Sequence, residues 1–239
     1  MTWRRRSGST ASEASAFSFS GDHREGCSPS ASIVLTSLPR RLWNRLPERV
    51  RAPVLGVKYG APAERQWLRE AMNRDLAREL DSAARNSDAV EVSGTLRGGL
   101  PWKSYTSLSY PDFDLCTSEP PDTFDVVICE QVLEHVPDPA RAASTLRALC
   151  RPDAVLFVSV PLLVRVHGSP GDYWRFTPDG LLVLLERAGF EVEWIRTWGN
   201  RRAVKGNLGH WRAFRPWHSL RNDPACPLVV WAMARSVSR

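Results

Sequence analysis

The chain reads as an α/β domain built on a mostly parallel sheet, and three observations predict it. Short apolar runs recur at 125–129, 154–161 and 228–234, and further strand candidates lie at 89–94 and, with clean polar–apolar alternation, at 190–195. Helical spacing or helix-start chemistry fills several of the intervals, and strands alternating with helices imply parallel pairing. The run 125–129 stops abruptly at the polar pair Glu130-Gln131, which is how an open α/β sheet presents groups to a ligand at its carboxyl edge.

The elements follow in order. With 239 residues, 43% of them hydrophobic, the chain can build one sizeable core plus appendages. Residues 1–32 are rich in Ser, Gly and charge and poor in aliphatics, and are expected to be disordered. Residues 33–88 read as a helical region packed on the core. Leu42, Leu46 and Val50 suit a short basic amphipathic helix, and a second helix is expected over 61–85. There Trp67, Leu68, Met72, Leu76 and Leu80 recur at three- and four-residue steps, opposite Arg65, Glu70, Arg74 and Glu79.

Residues 89–239 are the α/β domain proper. After the first strand, residues 104–110 alternate polar and apolar and read as a strand, followed by the turn-like Pro111-Asp112-Phe113-Asp114-Leu115-Cys116. Asp138 and Pro139 provide a cap and a first turn for a helix over 140–149, and Arg151-Pro152-Asp153 makes a turn before the strand at 154–161. Thr177 and Pro178 do the same for a helix over 181–188, which Gly189 stops. Residues 199–227 form a long connection carrying Arg201, Arg202, Lys205, His210, Trp211, Arg212, Arg215, Trp217 and His218. So much basic and aromatic side chain in one connection reads as a lid or a binding surface as readily as a solvated loop.

Composition bounds the partners. The formal net charge is +6. Clustered arginines would favour an acidic or phosphorylated small molecule, whereas no nucleic-acid module is present and nucleic acid is not an expected partner. The five cysteines are scattered, with no Cys-x-x-Cys pair, so a reducing, cytoplasmic setting is expected and neither a structural zinc nor any other metal site is. No apolar run approaches bilayer length, and stable membrane insertion is not expected. The oligomeric state is not legible.

Two segments carry a family resemblance. Phe124-Asp125-Val126-Val127-Ile128-Cys129 followed by Glu130-Gln131-Val132-Leu133-Glu134-His135-Val136 resembles the fourth-strand segment of class I methyltransferases that use S-adenosyl-L-methionine, in the group called type 11. The string from His167 through Gly168, Pro170, Asp172, Tyr173, Trp174, Arg175 and Phe176 to Thr177 is similar to one found in a subgroup of those enzymes. The resemblance implies a Rossmann-like three-layer sandwich whose seven-stranded sheet is mostly parallel, with an antiparallel last strand. It implies S-adenosyl-L-methionine as cofactor and methyl transfer to a small-molecule acceptor at oxygen or nitrogen, acidic and sugar-containing acceptors included.

By the same resemblance Glu91, Ser93 and Gly94 form the first strand end and the cofactor loop. Asp112 is expected on the ribose side, Asp114 on the adenine side, and Glu130 and Gln131 beside the methyl donor. Here the chain departs from the family. It has no full Gly-x-Gly-x-Gly, and the helix expected after the first strand is compressed into residues 95–103. Tyr173, Trp174 and Arg175 are candidates to grip the acceptor, with core filling and an Arg–acid pair as the equal alternative. His167 is the candidate base, while Glu134-His135 reads as a brace of its own loop. Two other readings compete. A nicotinamide enzyme would need a Gly-x-Gly-x-x-Gly turn, which is absent. A non-catalytic binding or scaffold protein on a decayed methyltransferase fold draws support from the poor glycine loop.

Overall fold

The structure, a computed structural model, describes residues 65–168 and 171–237. The expected disordered segment at 1–32 and the basic helix around 42–50 lie outside the described residues.

Helix α1 (Trp67–Ala84) leads into β1 (Asp88–Val92), β2 (Ser104–Leu108) and β3 (Phe124–Glu130). A single 3-10 turn (Leu133–His135) precedes α2 (Pro139–Ala148) and β4 (Cys150–Pro161). Then come α3 (Pro178–Arg187), β5 (Phe190–Trp198), α4 (Arg201–Asn207) and β6 (Val229–Ser236). The strands form one sheet in the order β2-β1-β3-β4-β6-β5. Strands β2, β1, β3 and β4 are parallel, and β6 runs antiparallel to both β4 and β5. Six strands are thus present among the described residues where the resemblance implied seven. Turns follow β2, with Phe113 and Leu115 buried in the core.

The central strands are buried on both faces, which is why β3 is an unbroken apolar run rather than an alternating one. Its alternate residues serve two cores. Val127 and Cys129 pack with Leu146 of α2 and Leu181 and Leu185 of α3. Val126 and Ile128 pack with Trp67, Leu68, Met72, Leu76 and Leu80 of α1 and Ala203 of α4. Two-residue alternation across one strand therefore produces the three layers.

Helix ends follow the expected chemistry. The Asp138 carboxylate accepts from Arg141 N (3.0 Å) and the Thr177 hydroxyl from Gly180 N (3.1 Å). Gly189 leaves α3 at φ 90°, in the left-handed region that only glycine enters freely. The turn expected at 151–153 lies inside β4 instead. The ladder there pairs Phe124 with Cys150 and resumes at Val126 with Val155, so the intervening residues loop out as an irregularity, with Asp153 at φ 60°. The expected helix over 95–103 is replaced by turns.

Candidate functional site

The chain leaves β1 toward β2 on one side and returns through β3 on the other. That reversal makes the carboxyl ends of β1 and β3 the topological switch point, where open α/β sheets form a crevice. Val92 stands opposite Cys129 in the ladder, so the residues just past the two strands are neighbours. Ser93 and Gln131, the first residue beyond each strand, both adopt φ 58°. Left-handed backbone at two non-glycine residues is uncommon, and here it turns both chains sharply away from the edge. Ser93 N donates to Leu108 O (2.7 Å) and Gln131 N to Ser159 O (2.8 Å), which ties each turn to the next strand.

The two glutamates of this edge are engaged by the chain itself. Glu91, 2% exposed, accepts from Leu96 N (3.0 Å) and Arg97 N (2.8 Å), and from the Tyr105 hydroxyl (2.6 Å). The loop after β1 is wrapped around that carboxylate. A β-carbon on Gly94 would lie 2.4 Å from Glu91 Oε1, so glycine is required there by close approach. Burial in turn, together with the Glu91 carboxylate, raises the Tyr105 phenol far above its ordinary range.

Glu130 sits between two arginines. Arg69 of α1 reaches it at 2.5 Å and Arg97 of the loop at 2.7 Å, while Arg97 also donates to Asn73 Oδ1 (2.7 Å). Burial alone would raise the Glu130 pKa, but the two guanidinium groups outweigh it and hold the carboxyl below its usual range. This buried Arg69–Glu130–Arg97 group clamps α1, the loop after β1 and the end of β3 together.

The remaining groups predicted at the edge are less committed. Asp112 is exposed. Asp114 is half-buried and accepts from Cys116 N (2.8 Å), an Asx turn that stiffens its own loop. Phe113 and Leu115, next to them in the segment, are buried. The Gln131 amide reaches Ser159 Oγ at 3.3 Å.

The connection from β4 to α3 crosses the same edge. Tyr173 N (2.7 Å) and Trp174 N (3.3 Å) both donate to Glu134 O, and Trp174 Nε1 donates to Val136 O (2.9 Å). These bonds fasten the aromatic loop to the turn after β3. Tyr173 and Trp174 stay 57% and 42% exposed, whereas Phe176 is buried. The core filling expected as one alternative for this string is supplied by Phe176 alone, and not by Tyr173 or Trp174. Arg175 pairs with Asp172 through both terminal nitrogens and donates to Arg165 O (3.0 Å). That guanidinium drives the Asp172 carboxyl down to about 2.

His167 is half-buried within this loop. Its backbone N donates to Asp172 Oδ2 (2.6 Å), and its ring lies edge-on to His135 and to Trp211, each at 5.0 Å between centroids. Glu134 is fully buried, yet neither carboxylate oxygen has a hydrogen-bond partner. The brace expected of Glu134-His135 is made instead by the Glu134 carbonyl and by His135 Nδ1, 2.5 Å from Gly171 O.

The basic, aromatic connection after β5 is ordered by packing. His218 stacks on Trp67 at 4.1 Å, Trp67 Nε1 donates to Ser219 O (3.3 Å), and Trp198 Nε1 donates to Leu220 O (2.9 Å). Burial, reinforced by Arg212, Arg215 and Arg202, holds the His218 imidazole below its ordinary range. Sequence reasoning missed Arg69, Asn73, Arg97 and Tyr105. A helix residue and a loop arginine announce nothing locally, although Arg69 breaks the polarity of the buried face of α1 and that signal was there to be read.

A methyltransferase-domain family model matches residues 60–195, more than half of the chain, and the chain belongs to that family. The chain therefore carries a methyltransferase domain over these residues. Curated relatives match over short segments. Ubiquinone biosynthesis O-methyltransferase of Haemophilus ducreyi is 53% identical over 38 residues, 16% of either chain. The proteins of that name from Neisseria meningitidis and Pseudoalteromonas translucida are 46% identical over 60 residues (25% of this chain, 23% of the relative) and 35% over 92 residues (31% and 39%). The chain thus matches well under half the length of these relatives.

Among solved structures, an S-adenosylmethionine-dependent methyltransferase from Mesorhizobium loti aligns with a TM-score of 0.47 at 17% identity, over 70% of this chain and 99% of that one. The Burkholderia thailandensis 1,6-didemethyltoxoflavin-N1-methyltransferase, with 1,6-didemethyltoxoflavin and S-adenosylhomocysteine bound, aligns with a TM-score of 0.46 at 17% identity, over 71% and 79%. No described helix is long and apolar enough to cross a membrane.

Proposed function

We propose that this chain is a class I methyltransferase that uses S-adenosyl-L-methionine and acts on a small-molecule acceptor, at an oxygen or nitrogen atom, with the donor held at the carboxyl ends of β1 and β3. The observation that carries the reading is the aromatic loop fastened to Glu134 O, which brings Tyr173 and Trp174 over the edge where the donor is expected. The donor is assigned to this edge because it is the topological switch point of the sheet, where Ser93 and Gln131 turn the backbone away from the strand ends. In this reading Ser93, Gly94 and Gln131 hold the amino-acid end, and Asp112 accepts from the ribose hydroxyls, a task for which a carboxylate is suited. Asp114 faces the adenine. Glu91 and Glu130 act from behind by holding the loop and strand ends in place.

When bound, S-adenosyl-L-methionine supplies an electrophilic methyl group on sulfur. The chain's own contribution is to align donor and acceptor and exclude water. Tyr173 and Trp174 wall the acceptor side, and Arg175 keeps that loop in shape through Asp172. His167 is the group best placed to take a proton from an acceptor hydroxyl. The short matches to ubiquinone biosynthesis O-methyltransferases support oxygen as the atom methylated, and the basic connection after β5 supports an acidic or sugar-containing acceptor. A cytoplasmic setting belongs to the same proposal and rests on the scattered cysteines.

The test is a screen of candidate metabolites with labelled donor, followed by His167→Ala on the acceptor found. The variant should lose turnover far more than affinity for S-adenosylhomocysteine. Unchanged turnover removes His167 from the mechanism.

A further inference from the structure

We propose that Glu134, His135 and His167 bind one divalent first-row transition-metal ion. The three side chains come from the turn after β3 and the loop after β4, and one donor atom from each lies within 4.8 Å of the others. Glu134 is 0% exposed with both carboxylate oxygens unpartnered. A buried carboxylate left so is costly unless a cation or a donor meets it.

The histidines cannot be that donor in their neutral form. His135 Nδ1 faces Gly171 O at 2.5 Å and His167 Nδ1 faces Arg165 O at 3.1 Å. A carbonyl only accepts, so each Nδ1 carries the proton and each Nε2 presents a lone pair. Both Nε2 atoms lie on the Glu134 side, 3.5 Å (His135) and 3.8 Å (His167) from Oε1. With both imidazoles neutral, three acceptors converge on one another.

The spacing is also that of ligands rather than of hydrogen-bond partners. Donors bound at about 2.1 Å in a tetrahedral site stand about 3.4 Å apart, close to both distances. Backbone carbonyls orienting the far nitrogen of each imidazole, with Asp172 Oδ2 3.4 Å from His167 Nδ1, form the outer support that metal-binding histidines need. Two imidazoles and one carboxylate suit zinc, iron, manganese or cobalt better than magnesium or calcium. Three protein ligands leave a position open.

The consequence for catalysis rests on the proposed methyl transfer. Glu134, His135 and His167 would hold the ion, which would make a hydroxyl at the open position acidic enough to give its proton to solvent water; His167 would then serve as a ligand in place of its role as base.

The test uses the full chain, stripped with a chelator and without donor or acceptor. Co²⁺ is titrated by calorimetry and by visible absorbance, with Zn²⁺ in competition. The wild type should bind one equivalent and melt at a higher temperature with the ion. Glu134→Gln and His135→Asn should bind about 100-fold more weakly or worse and show no thermal gain, while the exposed-site control His210→Ala matches the wild type. Circular dichroism checks that the variants fold. No Co²⁺ bound by the wild type, or undiminished binding by folded Glu134→Gln, overturns the proposal. Binding of S-adenosylhomocysteine, measured separately on the same metal-free sample, reports on the donor site independently of the ion.

Discussion

Replacing Glu130 by Gln should cost far more stability than one lost hydrogen bond. The side chains of Glu130 and Arg69 are 4% and 7% exposed, and that of Arg97 is 14% exposed. Gln keeps the shape and one acceptor but removes the charge, leaving Arg69 a buried cation without a counter-ion. Arg97 suffers less, because it is wetter and keeps Asn73. Breaking a buried pair in this way costs about 3–5 kcal/mol. With a urea slope of about 2–3 kcal/mol/M for a domain of this size, the unfolding midpoint should fall by about 1–2.5 M. The double variant Glu130→Met with Arg69→Met removes both charges from the tightest pair and should recover most of that loss. Equilibrium urea unfolding followed by circular dichroism measures all three proteins. A midpoint shift below about 0.3 M, or a double variant no more stable than the single one, would refute the view that Glu130 is a clamp.

Other expectations follow from the same geometry. Gly94→Ala should destabilise by about 1–3 kcal/mol in thermal unfolding, because the new methyl displaces a Glu91 carboxylate that holds two loop amides and Tyr105; a neutral result means the loop yields freely. Asp112→Asn should weaken S-adenosylhomocysteine binding in calorimetry without changing the melting temperature, since the side chain is exposed; unchanged affinity removes Asp112 from the donor site. Asp88, bonded chiefly to Arg151, then to Ser104 and Lys103, has its carboxyl lowered from 3.8 to about 2. A depressed carboxyl adds stability above its unfolded pKa and loses it as pH falls through the folded one. Between about pH 4 and pH 2, urea midpoints should therefore drop less steeply for Asp88→Asn than for the wild type, and parallel curves would contradict the assignment.

Much of the fold was legible because its signals are local. Val126 to Cys129, the cap at Asp138, the cap at Thr177 and the stop at Gly189 each act within a few residues. The turn expected at Arg151-Pro152-Asp153 is a looped-out stretch within β4, because pairing with β3 on both sides recruits the flanking residues into one strand. The candidate site was legible only where the chain passes the edge in sequence. Ser93, Gly94 and Gln131 directly follow β1 and β3, and the Tyr173-Trp174 pair lies on the loop bonded to Glu134 O. What Glu91 and Glu130 bind depends on Arg69, Arg97 and Tyr105, brought in by α1, a turn and β2. The convergence of Glu134, His135 and His167 likewise needs two loops to meet, and no spacing along the chain announces it.

The central claim is that the ends of β1 and β3 hold the methyl donor despite the shortened glycine loop. Calorimetric titration of the full chain with S-adenosylhomocysteine tests it most directly. The account predicts saturable binding at one equivalent, displaced by S-adenosyl-L-methionine and weakened by Asp112→Asn. A folded protein that gives no binding heat and no thermal shift with either ligand would contradict it.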